Sequence, residues 1–274
     1  MTLASNMSFY SQSNKKGVDV NPLVAFVLAG TVATALTAQT AKELTTPKVF
    51  TDANGETLPY RLYMPPSVPA EKKLPVVLFL HGAGERGSNN ISQLTHGITP
   101  LLQYTIAAKD PVILIAPQCP IGLQWVDTPW SNLSHTMPEQ PSKPMRLALA
   151  LLQETLRTRP VDLTRVYVTG ISMGGYGTWD AAQRHPDWFA AAMPVCGGGD
   201  TACAERLKHM PIWIFHGDKD GAVPVKRARD MFAALKACDG QVQYREYPGR
   251  GHNVWTPTYD DQSVLAWLLA QRKK

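Results

Sequence analysis

The stretch VYVTGISMGGYGTW, Val166 to Trp179, decides how the rest of the chain is read. Val166 to Thr169 carry the β-branched and aromatic side chains of a strand, and a helical pattern resumes after Gly174. Between them Gly170-Ile171-Ser172-Met173-Gly174 fits the frame G-x-S-x-G. Glycines permit a backbone turn too tight for side chains. The frame is that of an elbow lifting a serine hydroxyl above the end of a parallel sheet. Alone it is a weak signal. It gains weight where the chain also supplies a base, an acid and an oxyanion site in matching order.

Strand signals surround it on both sides. Apolar runs of strand length occur at PVVLFLHG (Pro75–Gly82), VILIAPQ (Val112–Gln118), AAAMPVCGG (Ala190–Gly198) and PIWIFHG (Pro211–Gly217), with VQYREYP (Val242–Pro248) following. Such runs suit strands covered on both faces. KVFTDANGETLPYRLYMP, Lys48 to Pro65, reads as a hairpin turning at Ala53-Asn54-Gly55. Helical patterns occupy Met145–Thr158, Gly174–His185, Val225–Ala237 and the C-terminal stretch from Asp260. The alternation predicts a mostly parallel central sheet with helices on both faces, preceded by an antiparallel hairpin. Residues 121–144, broken by Pro129, Pro138, Pro141 and Pro144, read as a long loop that forms a wall or cap.

Active sites in open α/β sheets lie at the carboxyl ends of the strands. Three strand ends besides the serine's carry polar residues: HGAGERG from His81, HGDKDGAVP from His216, and PGRGH ending at His252. A serine hydroxyl must lose its proton as it attacks, so it needs an imidazole within reach and a carboxylate to orient that imidazole. Ser172, Asp220 and His252 supply nucleophile, acid and base in that order, with Asp218 as the competing acid. A developing oxyanion needs backbone donors already in place. The Met173 N–H is one candidate, and Ala83, with Gly84 beside it, offers the second. His81 and His216 read as loop-holding residues. Glu85 and Arg86 are expected to pair with each other or to brace the oxyanion loop. Gln118, Trp125 and Trp255 are candidate pocket-lining residues, although a tryptophan also suits a core.

The motifs HGAGERG, APQCP with Trp125, GISMGGYGTW, HGDKD with Val223-Pro224, and YPGRGHNVW resemble the esterase branch of the α/β-hydrolases. In pattern they are similar to the poly(3-hydroxybutyrate) depolymerase, feruloyl esterase and phospholipase/carboxylesterase groups, from about Thr51 to the C-terminus. The resemblance implies the α/β-hydrolase fold, and its H-G-x-x-D-x-x-V-P pattern puts the acid on Asp220. It implies a serine carboxylic ester hydrolase acting on small or carbohydrate-linked esters of feruloyl or acetyl type, without a cofactor. The alternatives are a prolyl-oligopeptidase-like serine peptidase, for which the chain has no propeller-sized second domain, and a non-catalytic binding protein of the same fold.

The 274 residues suffice for one large α/β domain, and 44% apolar with 18% charged residues fits a globular protein. A net charge of +5 without Lys/Arg runs interleaved with aromatics gives no reason to expect nucleic acid as a partner. Cys119, Cys196, Cys203 and Cys238 form no CxxC pair or Cys/His sequence cluster, so no metal site is expected. Cys196 and Cys203 are spaced for a small disulfide loop or are buried thiols. Lys15 and Lys16 precede an apolar run, Leu23 to Ala38, too short and too rich in Ala and Thr for a comfortable membrane span. Residues 1–41 therefore read as a secretory signal peptide, giving an exported protein with its domain over 42–274. The alternative is an uncleaved N-terminal helix on a cytoplasmic protein. No stable membrane anchor is expected.

Overall fold

A computed structural model describes residues 39–69 and 71–273; the apolar run Leu23 to Ala38 lies outside the described residues. Eight strands form one sheet: β1 (Thr46–Thr51), β2 (Thr57–Tyr63), β3 (Leu74–Leu80), β4 (Ile113–Pro117), β5 (Val161–Ile171), β6 (Ala191–Val195), β7 (Ile212–Gly217) and β8 (Val242–Tyr247). Their order is β1-β2-β4-β3-β5-β6-β7-β8. The pairs β1–β2 and β2–β4 are antiparallel. From β4 through β3 to β8 all neighbours are parallel. Every run read as a strand in the sequence is one, and the architecture is that of an α/β-hydrolase fold.

Alternation along the central strands splits the core in two. In β3, Val76, Leu78 and Leu80 face one apolar layer, while Val77 and Phe79 face the other. Both sets are fully buried, which is why β3 reads as an unbroken apolar run. The helices α3 (Lys143–Thr158), α4 (Met173–Arg184) and α5 (Lys226–Ala237) cover the first face through Leu152, Trp179 and Met231. The short α1 (Ala41–Leu44), α2 (Ile98–Ala107) and α7 (Gln262–Ala270) cover the second through Ala41, Leu101 and Leu268. Side chains cap two of these starts: Ser142 Oγ accepts the Met145 N–H, and Asp261 Oδ1 accepts the Ser263 N–H.

Among the described residues three α-helices have no counterpart in the sequence reading: α1, α2 and the one-turn α6 (Trp255–Tyr259). The last two each carry a proline in the first turn, Pro100 and Pro257. Proline is tolerated there because first-turn amides lack an intrahelical acceptor anyway. Combined with β-branched neighbours, it hides the helical pattern.

The segment between β4 and α3 is irregular, and side chains from the body of the domain hold its backbone. Tyr176 Oη donates to Trp130 O (2.9 Å) and Arg227 Nη1 to Asn132 O (3.0 Å). Arg184 donates to Pro138 O and Glu139 O, and the Met137 N–H donates to Asp200 Oδ2. Ser142 Oγ closes the segment onto Trp125 O (2.8 Å). A loop fixed this way satisfies its backbone without regular structure.

Residues 39–41, read from the sequence as the end of a leader, pack on the domain. The Ala41 N–H donates to Thr99 Oγ1 on α2, and Gln103 Nε2 donates to Gln39 O. Thr40 and Glu43 form a reciprocal capping box over α1.

Candidate active site

At the carboxyl end of β5 the chain turns into α4 through Ser172, whose φ of 54° and ψ of −118° are strained for a residue with a Cβ. The Ser172 N–H donates to Val195 O (2.8 Å), which pins the turn to β6. The glycines serve a different purpose from the one the sequence suggests. A Cβ on Gly174 would stand 1.9 Å from Leu80 O, and one on Gly170 would stand 2.4 Å from Gly174 O. Their lack of a side chain lets α4 press directly on β3, while the serine itself adopts the strained conformation.

Three strand ends then converge. His252 Nε2 lies 2.8 Å from Ser172 Oγ, and His252 Nδ1 lies 2.7 Å from Asp220 Oδ2. The carboxylate accepts the Nδ1 proton, so a neutral His252 turns the Nε2 lone pair toward the serine hydroxyl. The loops carrying acid and base are sewn together: the Lys219 N–H donates to Arg250 O (2.9 Å), and a Cβ on Gly217 would meet Gly251 O at 2.3 Å. Asp218 makes none of these contacts, and its Oδ1 is buried without a hydrogen-bond partner.

The Asp220 carboxylate is completely enclosed. Its Oδ1 accepts the N–H groups of Ala222 and Val223, both at 2.9 Å. Its Oδ2 also lies 3.1 Å from Nε2 of the fully buried His216, which donates to Val223 O at 3.0 Å. Both neighbours of that nitrogen can only accept, so Nε2 carries the His216 proton. Burial alone would raise the Asp220 pKa. The hydrogen bonds from His216 and His252 and the Val223 N–H outweigh it and hold the carboxyl well below the usual range.

The two candidate oxyanion amides belong to residues that open helical turns. Met173 opens α4, and Ala83 opens a 3-10 turn over Ala83–Glu85, with Gly84 second in it. Amides in a first turn have no intrahelical acceptor. Arg86 fixes the second turn by donating from Nε to Ala83 O (2.9 Å) and from Nη1 to Leu123 O (3.3 Å). Glu85 does not pair with Arg86; its Oε1 lies 3.7 Å from His96 Nε2.

The pocket-lining expectations divide. Trp125 is fully buried, its Nε1 donates to His81 O (3.0 Å), and its ring packs edge-on to His81. It is a core strut, buried in the apolar layer that α3, α4 and α5 cover. Gln118 is equally buried and spends both ends of its amide on the loop after β3, accepting from the Asn90 N–H and donating to Glu85 O and Asn89 Oδ1. Gln118 therefore braces the loop instead of meeting a ligand. Trp255 does stand at the site, half-buried and edge-on to the His252 ring with centroids 5.2 Å apart.

His81 holds a loop, as its position suggests. It accepts the Cys119 N–H at Nε2 (2.9 Å), and Nδ1 donates to Gly82 O (2.6 Å). All four cysteines are free thiols, so Cys196 and Cys203 do not form the disulfide that their spacing allowed. The fold does bring Cys196, His216 and Asp220 together, with ligand atoms within 4.8 Å of one another, a grouping invisible in sequence spacing. These donors do not suit a cation. Asp220 already accepts four hydrogen-bonding groups, and burial, followed by the Asp220 charge, pushes the Cys196 thiol pKa up, disfavouring the thiolate a metal requires. Cys196 Sγ donates to His252 O instead (3.1 Å).

Sequence reading missed Arg227, buried on α5 with its guanidinium 5.2 Å from the Tyr176 ring centroid. It joins Asn132 O and His135 of the long loop to Gly199 O after β6. Set between Lys226 and Arg229 in a helical pattern, Arg227 reads from the sequence as one more surface cation, so the pattern gave no warning. Between residues 124–131 of that loop and Ala222 lies an open groove of about 600 Å³.

Residues 133–264 match the model of the dienelactone hydrolase family. The chain is 24% identical over 192 residues to a bifunctional acetylxylan esterase/xylanase of Neocallimastix patriciarum, covering 67% of this chain and 26% of that protein. A crystal structure described as a thermostable esterase superposes with a TM-score of 0.77 at 37% identity, over 84% of this chain and 64% of the other. A ferulic acid esterase superposes at 0.63 with 18% identity, over 82% and 97%, a likeness of fold. The chain thus spans about a quarter of the first of these relatives and under two thirds of the second.

Proposed function

From a chain that belongs to the α/β-hydrolase superfamily, we propose a serine carboxylic ester hydrolase working through an acyl-enzyme on Ser172. One observation carries the reading: the unbroken hydrogen-bond chain Ser172–His252–Asp220 beneath a strained serine. Ser172 Oγ attacks the ester carbonyl while His252 Nε2 takes its proton. The carbonyl oxygen, now an oxyanion, sits between the Met173 and Ala83 amides, with Gly84 as the neighbouring donor. His252 returns its proton to the leaving alkoxide, and the alcohol departs. A water then gives its proton to His252 as it attacks the acyl-serine, and His252 passes that proton to Ser172 Oγ as the bond to the acyl group breaks, releasing the carboxylic acid and restoring the free Ser172 hydroxyl and neutral His252. No step calls on a cofactor.

Relatives described as acetylxylan and ferulic acid esterases support small or carbohydrate-linked esters as the substrate class. Among the described residues no helix is long and apolar enough to cross a membrane, and export remains part of the proposal on the leader pattern in residues 1–41. The test is a panel of aryl esters beside aminoacyl amides of the same acyl group. Ester turnover that disappears in Ser172→Ala, with amides left uncleaved, is the expected result. Amide cleavage at comparable kcat/KM would make the protein a peptidase, and ester turnover persisting in Ser172→Ala would overturn the mechanism.

A further inference from the structure

Ser172, Asp220 and His252 lie at the carboxyl ends of the strands, and a second cleft opens at the opposite end of the sheet. It is lined by the early residues of β5 and by the residues leading into β6, β7 and β8, and it encloses about 760 Å³. Four basic side chains stand on its wall. Arg206 and His209 come from the 3-10 turn Thr201–Leu207 and its exit, Arg272 and Lys273 from the segment after α7. Against them the wall carries one carboxylate among the described residues, Asp187. Arg272 pairs with Asp162 at 3.1 Å, whereas Arg206, His209 and Lys273 form no ion pair among the described residues.

Lys273 is held in place there. Its N–H donates to Thr164 O (2.9 Å), tying it to β5, and its Nζ donates to Asp187 O (2.8 Å), a neutral carbonyl. The half-buried ammonium therefore lacks the ion pair that would offset its desolvation. Burial lowers its pKa below the usual lysine range, and the Asp187 charge opposes that shift only in part. Arg206 Nη2 likewise reaches only a neutral carbonyl, Arg184 O at 3.5 Å. Beside these cations the lining is apolar: Leu163 is 55% exposed, with Pro186 and Pro211 nearby.

We infer that this cleft is a binding site for an organic carboxylate with an apolar body, separate from the candidate active site. A concave wall with an excess of one sign concentrates the opposite charge. A carboxylate accepts charge-assisted hydrogen bonds from arginine and lysine, which the neutral carbonyls now holding them cannot match. The apolar lining decides between kinds of anion. A hydrocarbon body gains by covering Leu163, and inorganic phosphate gains nothing there. Asp187 on the wall further disfavours a doubly charged group. The volume falls within the roughly 300–1,000 Å³ of small-molecule sites.

Octanoate is the probe, titrated calorimetrically into the wild type, Lys273→Gln, Arg206→Gln and Leu163→Ser, beside inorganic phosphate and 1-octanol. Octanoate should bind more tightly than either comparison compound and more weakly as salt is added. Each charge variant should weaken it about tenfold, the range for a lost hydrogen bond to a charged group, and Leu163→Ser about threefold to tenfold. Neither Arg206 nor Lys273 belongs to the Ser172–His252–Asp220 chain, so a loss in these variants places octanoate in the cleft, and ester turnover should be unchanged in both. Arg206 is exposed, so its variant keeps the test open should Lys273→Gln lose its tie to β5 and melt early. No binding, binding indifferent to both charge variants, or phosphate or octanol bound as tightly as octanoate would overturn the site.

Discussion

In the proposed mechanism Ser172 Oγ, the His252 ring and the Asp220 carboxylate act as one unit or not at all. Ser172→Ala and His252→Ala should each lower kcat by several orders of magnitude, roughly a millionfold, and the double variant should cost little more. Additive losses in steady-state assays would show that the two residues serve different steps. Asp220→Asn should be severe and Asp218→Asn mild, because only Asp220 reaches the His252 ring. Behind the acid, His216 donates toward the same carboxylate oxygen that orients His252. It touches no position where substrate could sit, so it is a positioning residue. His216→Leu should lower kcat about tenfold to a hundredfold with KM held, the range for a lost hydrogen bond to a charged group. His216→Gln should recover part of the loss, since its amide can still donate. A matching rise in KM, or no recovery in the glutamine variant, would reduce His216 to packing.

Strand ends, more than single residues, made the site legible in the sequence. Once β3, β5, β7 and β8 are parallel strands of one sheet, HGAGERG, GISMGG, HGDKD and PGRGH must meet at one edge, so order along the chain sufficed to group Ser172, Asp220 and His252. What side chains do within that edge was not legible. Trp125 and Gln118 follow the same β4 that brings residues to the site, yet both turn inward, because burial depends on packing that periodicity does not report. His81 shows how tightly these ends are joined, linking the β3 terminus to the residue after Gln118. Burial lowers its pKa from 6.5 to about 4, so the folded protein favours the neutral ring while the unfolded chain takes up a proton below about 6.5. Its contribution is therefore complete above pH 6.5 and is lost as the pH falls toward 4, at a cost of roughly 3 kcal/mol. Asp220, with its lowered pKa, loses its contribution in the same direction at still lower pH. Melting curves should fall steadily between pH 7 and 4, and a His81→Asn protein should start lower and fall less. A flat profile in the wild type would mean that the His81 environment opens on protonation without cost.

Among the described residues, the sheet, both helical layers and the long loop form one folded body, and Gln39 and Thr40 are already held to it ahead of α1. Ala41 is buried in the α2–α7 layer, Thr40 caps α1, and Thr45 O receives a hydrogen bond from Arg61 on β2. This narrows where an exported form could be trimmed. Of Ala35, Ala38 and Ala41, the small residues that could precede a cleavage point, the first two leave this segment whole, whereas cleavage after Ala41 removes Thr40 and the buried alanine. A protein beginning at Gln39 should therefore melt with the full chain and keep its ester activity. One beginning at Thr46 should melt several degrees lower, given a cap and a buried side chain worth about 1 kcal/mol each and roughly 2–4 °C per kcal/mol for a domain of this size. N-terminal sequencing of the protein recovered outside the cytoplasm should read a residue at or before Gln39. A mature chain starting at Lys42 with unchanged stability would show that α1 contributes nothing, and a full-length chain found only inside the cell would overturn export.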